Sequence, residues 1–152
     1  MYLWRISNYG DLGGVGGTLT PGRWNTLGRP VTYLSEHPAL ALVEILVHLE
    51  LTPDILPDSY KLLKAETSDK IGIRSIDLKD LVADWRLQEG FTRGIGDAWL
   101  SGGETALLRV PSAVVPESSN YLLNPRHAEA NGVSILWYEE YPFDKRLFGT
   151  KK

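Results

Sequence analysis

The sequence contains no cysteine, which excludes disulfides, thiolate zinc sites and cysteine nucleophiles. No segment reaches the ~18 consecutive apolar residues that a membrane-spanning helix needs. The opening Met1-Tyr2-Leu3-Trp4-Arg5 also lacks the apolar core of a signal peptide. A soluble, cytoplasmic protein that does not engage a membrane is the expectation. Positive charge is sparse: 16 Lys and Arg stand against 19 Asp and Glu, a formal charge of −3. The basic residues are scattered singly, and direct nucleic-acid binding, which needs a basic stripe, is not expected. Histidine is scarce as well. His37, His48 and His127 form no i, i+3 or i, i+4 ligand pair, and no metal is expected.

What the chain does have suits one globular domain, spanning 1–152 with a core of about 2–146 and a short polar C-terminal tail. Its 152 residues fit a single domain at ~100–200 residues each, and 43% hydrophobic against 23% charged residues argues against disorder. Residues 2–6 read as a short strand. Residues 10–28 hold a glycine-rich stretch too long for a simple connector. A strand at 31–35 precedes a helix over 38–49, with Pro38 in its first turn and Ser35 to His37 supplying the approach to its cap. Further strands are expected at 60–67, 71–77, 105–112 and 133–143, with a short apolar piece at 120–125 leading to a turn, a helical turn near 78–84 and weak helix near 97–100 ended by Gly102-Gly103. Strand 133–143, with Ile135, Trp137 and Tyr141 on one alternating set, is expected to be central or to form an interface. Strict βαβ alternation is absent. The expected fold class is therefore α+β, a single compact domain with a mixed or antiparallel sheet.

Two places invite a chemical reading. The glycine-rich stretch has P-loop glycine spacing but carries Arg23 and Trp24 where Lys and a hydroxyl residue belong, and it contains no intact G-x-G-x-x-G. Its cluster Gly22-Arg23-Trp24-Asn25 joins a guanidinium, an indole and an amide, a set suited to an anion beside a flat ring. The second place is Glu44, in the middle of a helix that is apolar nearly all round and therefore expected to be buried. A carboxylate there is costly unless paired. It is either half of an (i, i+4) pair with His48 or with a distant Arg, or a carboxylate held at a pocket edge. Ser112 has no G-x-S-x-G context and by default satisfies backbone groups at a strand end.

Taken in order, these pieces resemble the RES domain. Its opening half is matched by Gly22-Arg23-Trp24-Asn25 with Gly28, Val31-Thr32-Tyr33-Leu34-Ser35 and Ala41-Leu42-Val43-Glu44. Its closing half is matched by Asp97-Ala98-Trp99-Leu100, by the stretch from Leu108 to Pro116, and by Asn120-Tyr121-Leu122-Leu123-Asn124-Pro125-Arg126-His127. The Arg, Glu and Ser that name the family fall on Arg23, Glu44 and Ser112. The resemblance implies an ADP-ribosyltransferase-like fold and the toxin of a toxin–antitoxin pair that depletes NAD by breaking the nicotinamide–ribose bond. It also implies a cognate Xre-type helix-turn-helix antitoxin and a homodimer within that complex. In such chemistry Glu44 offsets the positive charge that develops on the ribose. Arg23, helped by Arg5, clamps the pyrophosphate of NAD. Tyr33 stacks on the nicotinamide, and Ser112 and Asn124 hydrogen-bond a ribose or amide. NAD is thus the expected substrate, with no metal. A ribonuclease-type toxin using Arg, Glu and His127, or a non-catalytic nucleotide-binding module, are the alternatives.

Overall fold

The computed structural model describes residues 1–49 and 57–149. Seven strands form one mixed sheet: β1 (Tyr2–Ile6), β2 (Thr32–Ser35), β3 (Ser59–Thr67), β4 (Ile73–Ser75), β5 (Leu107–Pro111), β6 (Ser119–Leu123) and β7 (Val133–Pro142). Their spatial order is β4-β5-β6-β2-β1-β3-β7. Only β4 and β5 pair in parallel; every other neighbour is antiparallel. Among the described residues three α-helices accompany it: α1 (Val15–Leu19), α2 (Pro38–His48) and α3 (Glu89–Gly102). The α+β class with a mixed sheet is the one the element order predicts.

Directly opposed residues of an antiparallel pair point to the same face, so the register sorts the side chains. Trp4, Ser35, Asn120 and Val110 form one row across β1, β2, β6 and β5, and Tyr33, Leu122 and Leu108 form the next. Helix α3 covers part of this face: Trp99 packs with Trp24, Val31, Trp85, Leu108, Val110 and Leu122. Helix α2 packs over β1 and β2. The opposite face carries Leu3, Leu34, Leu63, Tyr121 and Leu123, a second core cluster joined by Leu12, Ile71, Ala130 and Tyr138.

Local chemistry explains most of the boundaries. Pro38 opens α2, and the His37 ring nitrogen Nδ1 accepts the Ala39 N–H at 3.1 Å, so His37 is the cap. Gly103, at φ +62°, closes α3 in the left-handed region that glycine enters without strain.

Three expectations need correction. Helix α2 is not buried all round: only Leu40 and Ala41 are, while Val47 is 56% exposed. Its apolar composition covers one side of the sheet and leaves an apolar outer surface. Strand β7, expected to be central or to form an interface, is not central: it forms the sheet edge, paired only with β3 among the described strands, a place that fits the second alternative. The weak helical turn near 97–100 is the last part of a 14-residue helix, α3. Four glycines, at 90, 94, 96 and 102, hide it from propensity. The glycine-rich stretch also contains the short helix α1, which periodicity did not reveal.

Candidate active site

Glu44 lies half-buried in the middle of α2, above the row containing Ser35 and Asn120. Its Oε1 accepts two hydrogen bonds, from Ser112 Oγ at 2.6 Å and from Asn120 Nδ2 at 2.7 Å. Asn120 is in turn fixed by Ser35, whose Oγ donates to Asn120 Oδ1 at 2.8 Å. Glu44 Oε2 has no partner among the described residues, and no buried side-chain polar atom is left unsatisfied there. Oε2 therefore opens outward. His48 is exposed and makes no ion pair with Glu44, which removes the helix-internal pair from consideration.

Ser112 is fully buried. Besides donating to Glu44, its Oγ accepts the backbone N–H groups of Val114 and Val115 at 3.1 and 3.0 Å. A hydroxyl has one proton and two lone pairs, and all three are committed. Ser112 orients the carboxylate and has nothing left for a ligand.

Two residues earlier on β2, about 7 Å along the strand, Tyr33 supports the Gly22–Asn25 turn. Its hydroxyl donates to Asn25 Oδ1 at 2.6 Å and accepts the Trp24 N–H at 3.1 Å. Burial pushes the phenol well above its usual pKa, so Tyr33 stays neutral and keeps donating. Gly22 N–H bonds both the Asn25 carbonyl and its side chain, each at 3.1 Å. The turn is fastened to α3 as well. Thr92 Oγ1 donates to the Arg23 carbonyl at 2.6 Å, and Arg93 Nε donates to the Gly22 carbonyl at 2.8 Å. A Cβ on Gly96 would lie 1.7 Å from the Trp24 carbonyl oxygen, so only glycine permits this approach.

The turn presents Arg23. Its guanidinium lies 5.7 Å from the Trp85 ring centroid and donates once, to the Arg86 carbonyl at 3.0 Å. It forms no ion pair with a carboxylate among the described residues. A planar cation held on an indole, with most of its N–H groups uncommitted, is equipped to bind an oxyanion.

A family model described as RES domain matches residues 2–144. The chain belongs to the RES-domain family. Two relatives align along almost their whole length. Toxin Res of Pseudomonas putida is 43% identical over 97% of this chain and 100% of its own. A Prs ADP-ribosylating toxin of a Sphingobium species is 33% identical over 95% of each. In fold, this RES domain is similar to a chain in the crystal structure of the M. tuberculosis MbcT–MbcA toxin–antitoxin complex. The two superpose with a TM-score of 0.75 over 97% of this chain and 86% of the other, at 15% identity.

Within the RES domain, Arg23, Tyr33, Glu44 and Ser112 gather on one face, by way of adjacent rows of the sheet. Arg5 does not join them. It follows Trp4 on β1 and so points to the opposite face, where it donates to the Asp11 carbonyl at 3.0 Å. Burial there lowers its pKa, with Asp11 opposing the shift. Asn124 is also apart, four residues or about 13 Å along from Asn120. It lines a cavity of about 350 Å³ with Arg29, Gly103, Arg126 and His127. The sequence reading missed Ser35 and Asn120 as site residues. Their signal is a polar side chain on the apolar rhythm of a strand, which becomes legible only once the β2–β6 register is known.

Proposed function

We propose that this chain is the toxin of a toxin–antitoxin pair and cleaves the nicotinamide–ribose bond of NAD. The observation that carries this reading is a carboxylate held from behind through one oxygen, on the same face of the sheet as a guanidinium that has no carboxylate partner among the described residues. Breaking that bond expels neutral nicotinamide and leaves an oxocarbenium-like ribose. Ground-state NAD bears its positive charge on the nicotinamide ring, and in the transition state that charge moves to the ribose. Glu44 Oε2, fixed in advance, stabilises the charge where it arrives. Arg23 binds the pyrophosphate. Tyr33 acts through the turn that carries Arg23, and its partly buried ring bounds the nicotinamide side. Ser112 holds Glu44 and does not touch the substrate. The names of the two relatives support a toxin, and one of them supports ADP-ribosyl transfer.

A cognate antitoxin of the Xre helix-turn-helix type covers this site in the complex, within which the chain is a homodimer. The scheme is written with the chain's own residues and NAD alone. The ribonuclease alternative needs His127 together with Glu44 and Arg23, whereas His127 lies in the Asn124 cavity. His127 Nδ1 accepts the Glu129 N–H at 3.0 Å and its Nε2 faces the Gly103 carbonyl at 3.0 Å, so both ring nitrogens are engaged. Purified protein incubated with NAD should release free nicotinamide, and total RNA should stay intact. Comparing water, phosphate and candidate proteins as acceptors then identifies where the ADP-ribosyl group goes. NAD binding without nicotinamide release would leave a binding module instead.

A further inference from the structure

We propose that Asn120 is the positioning residue that aims Glu44, and that Ser35 braces Asn120 in the orientation that does so. The proposal rests on the NAD-cleaving reading above and adds residues to the same site. An asparagine amide can turn over, presenting either its oxygen or its nitrogen to a neighbour. Facing Glu44 with its oxygen would set two acceptors against each other. Glu44, which only accepts, selects Nδ2, at 2.7 Å from Oε1, and Ser35, 5% exposed, braces that orientation by donating its Oγ proton to Asn120 Oδ1 at 2.8 Å.

The geometry shows why two donors are needed. Glu44 leaves α2 on a flexible side chain, and Ser112 alone supplies a single tether at 2.6 Å. A second tether from the sheet, on the same oxygen, fixes the carboxylate from two elements, β6 and the segment after β5. Its other oxygen is then held toward the ligand side. Ser35 and Asn120 sit directly opposite each other in the β2–β6 register, so the relay is as rigid as the sheet. Nothing in it requires Asn120 to touch substrate.

The test is a double-mutant cycle on nicotinamide release. Asn120→Ala should lower kcat by roughly 10- to 100-fold, the range expected for a lost charged hydrogen bond or a misplaced group, with KM for NAD little changed. Ser35→Ala should lower kcat by roughly two- to tenfold. In the double variant Ser35→Ala should add nothing, because its only action runs through Asn120. Asn120→Asp keeps the shape but turns an acceptor toward Glu44, so it should be at least as impaired as Asn120→Ala. Rescue by Asn120→Asp, multiplication of the two single effects, or a loss expressed mainly in KM would each overturn the proposal. One arm needs no activity. The Asn120 side-chain amide protons, followed by 15N-edited NMR, should exchange slowly in the wild type and lose protection in Ser35→Ala and Glu44→Ala. Equal exchange in all three refutes the relay. If the wild type releases no nicotinamide, the NAD reading falls while this arm still decides the place of Asn120.

Discussion

Replacing Glu44 by Gln separates charge from shape. The Gln carbonyl oxygen can take the place of Oε1 and keep both donors, Ser112 and Asn120. Its amide nitrogen then falls at the open position of Oε2. The reverse orientation would set the amide nitrogen against two donors and is disfavoured. Two charge-assisted hydrogen bonds become neutral ones, which loses roughly half their strength, while removal of a half-buried charge offsets that loss. Net stability should stay within about 1 kcal/mol, or roughly 2–4 °C in melting temperature for a chain of this size. Turnover should fall by about 10²-fold or more, ~2.7 kcal/mol of barrier, because the neutral amide cannot stabilise a cationic ribose. NAD affinity should change far less. Glu44→Ala is the poorer experiment: it strands Ser112 Oγ and Asn120 Nδ2, at ~1–3 kcal/mol each, and mixes unfolding with lost chemistry. Melting curves, NAD titration and nicotinamide release on one preparation decide the matter. A well-folded Glu44→Gln protein with near-native turnover would remove Glu44 from the mechanism.

Arg23→Lys keeps the charge but loses the planar fork and its seat on Trp85, so the Michaelis constant for NAD should rise by about tenfold; an unchanged value would move the pyrophosphate site elsewhere. Tyr33→Phe removes the hydroxyl that bonds Asn25 and the buried Trp24 N–H. It should cost about 1–3 kcal/mol in chemical denaturation and weaken NAD binding with it, whereas a ring that acts by stacking alone would tolerate Phe. The glycines of α3 should respond in opposite directions. Gly94→Ala, with open space around it, should gain up to about 1 kcal/mol, and Gly96→Ala, which drives a methyl into the Trp24 carbonyl, should lose about 1–3 kcal/mol or more. Equal melting temperatures for the two variants would contradict the close approach of α3 to the Arg23 turn.

Several elements were legible because their signals are local. Strand β1 and helix α2 lie within a residue of where the short apolar run and Pro38 put them, and β2 follows its β-branched and aromatic run. Glu44 stood out because a carboxylate inside an apolar helix demands an explanation. What escaped depends on pairing. Arg5 looked like a second clamp since nothing local tells which face of β1 it takes; the Trp4–Ser35 register decides that. The glycines of α3 argued against a helix because the reason for Gly96 is a backbone 72 residues earlier in the chain, at Trp24. The apolar surface of α2 was read as a sign of full burial, although a helix resting on one face of a sheet can be apolar on both sides.

The order in which the chain supplies the Glu44 cradle bears on when the protein can be active. Ser35 and Glu44 come early, but Ser112 and Asn120 arrive 77 and 85 residues after Ser35, and β6 must insert between β2 and β5 before they meet. Closing so long a loop costs entropy before any contact rewards it, and folds dominated by distant pairings form slowly. A ribosome that has released only the first hundred residues therefore carries an unarmed chain, with its carboxylate untethered. The site cannot assemble before β6 has been made, and products truncated before β6 lack the Glu44 cradle.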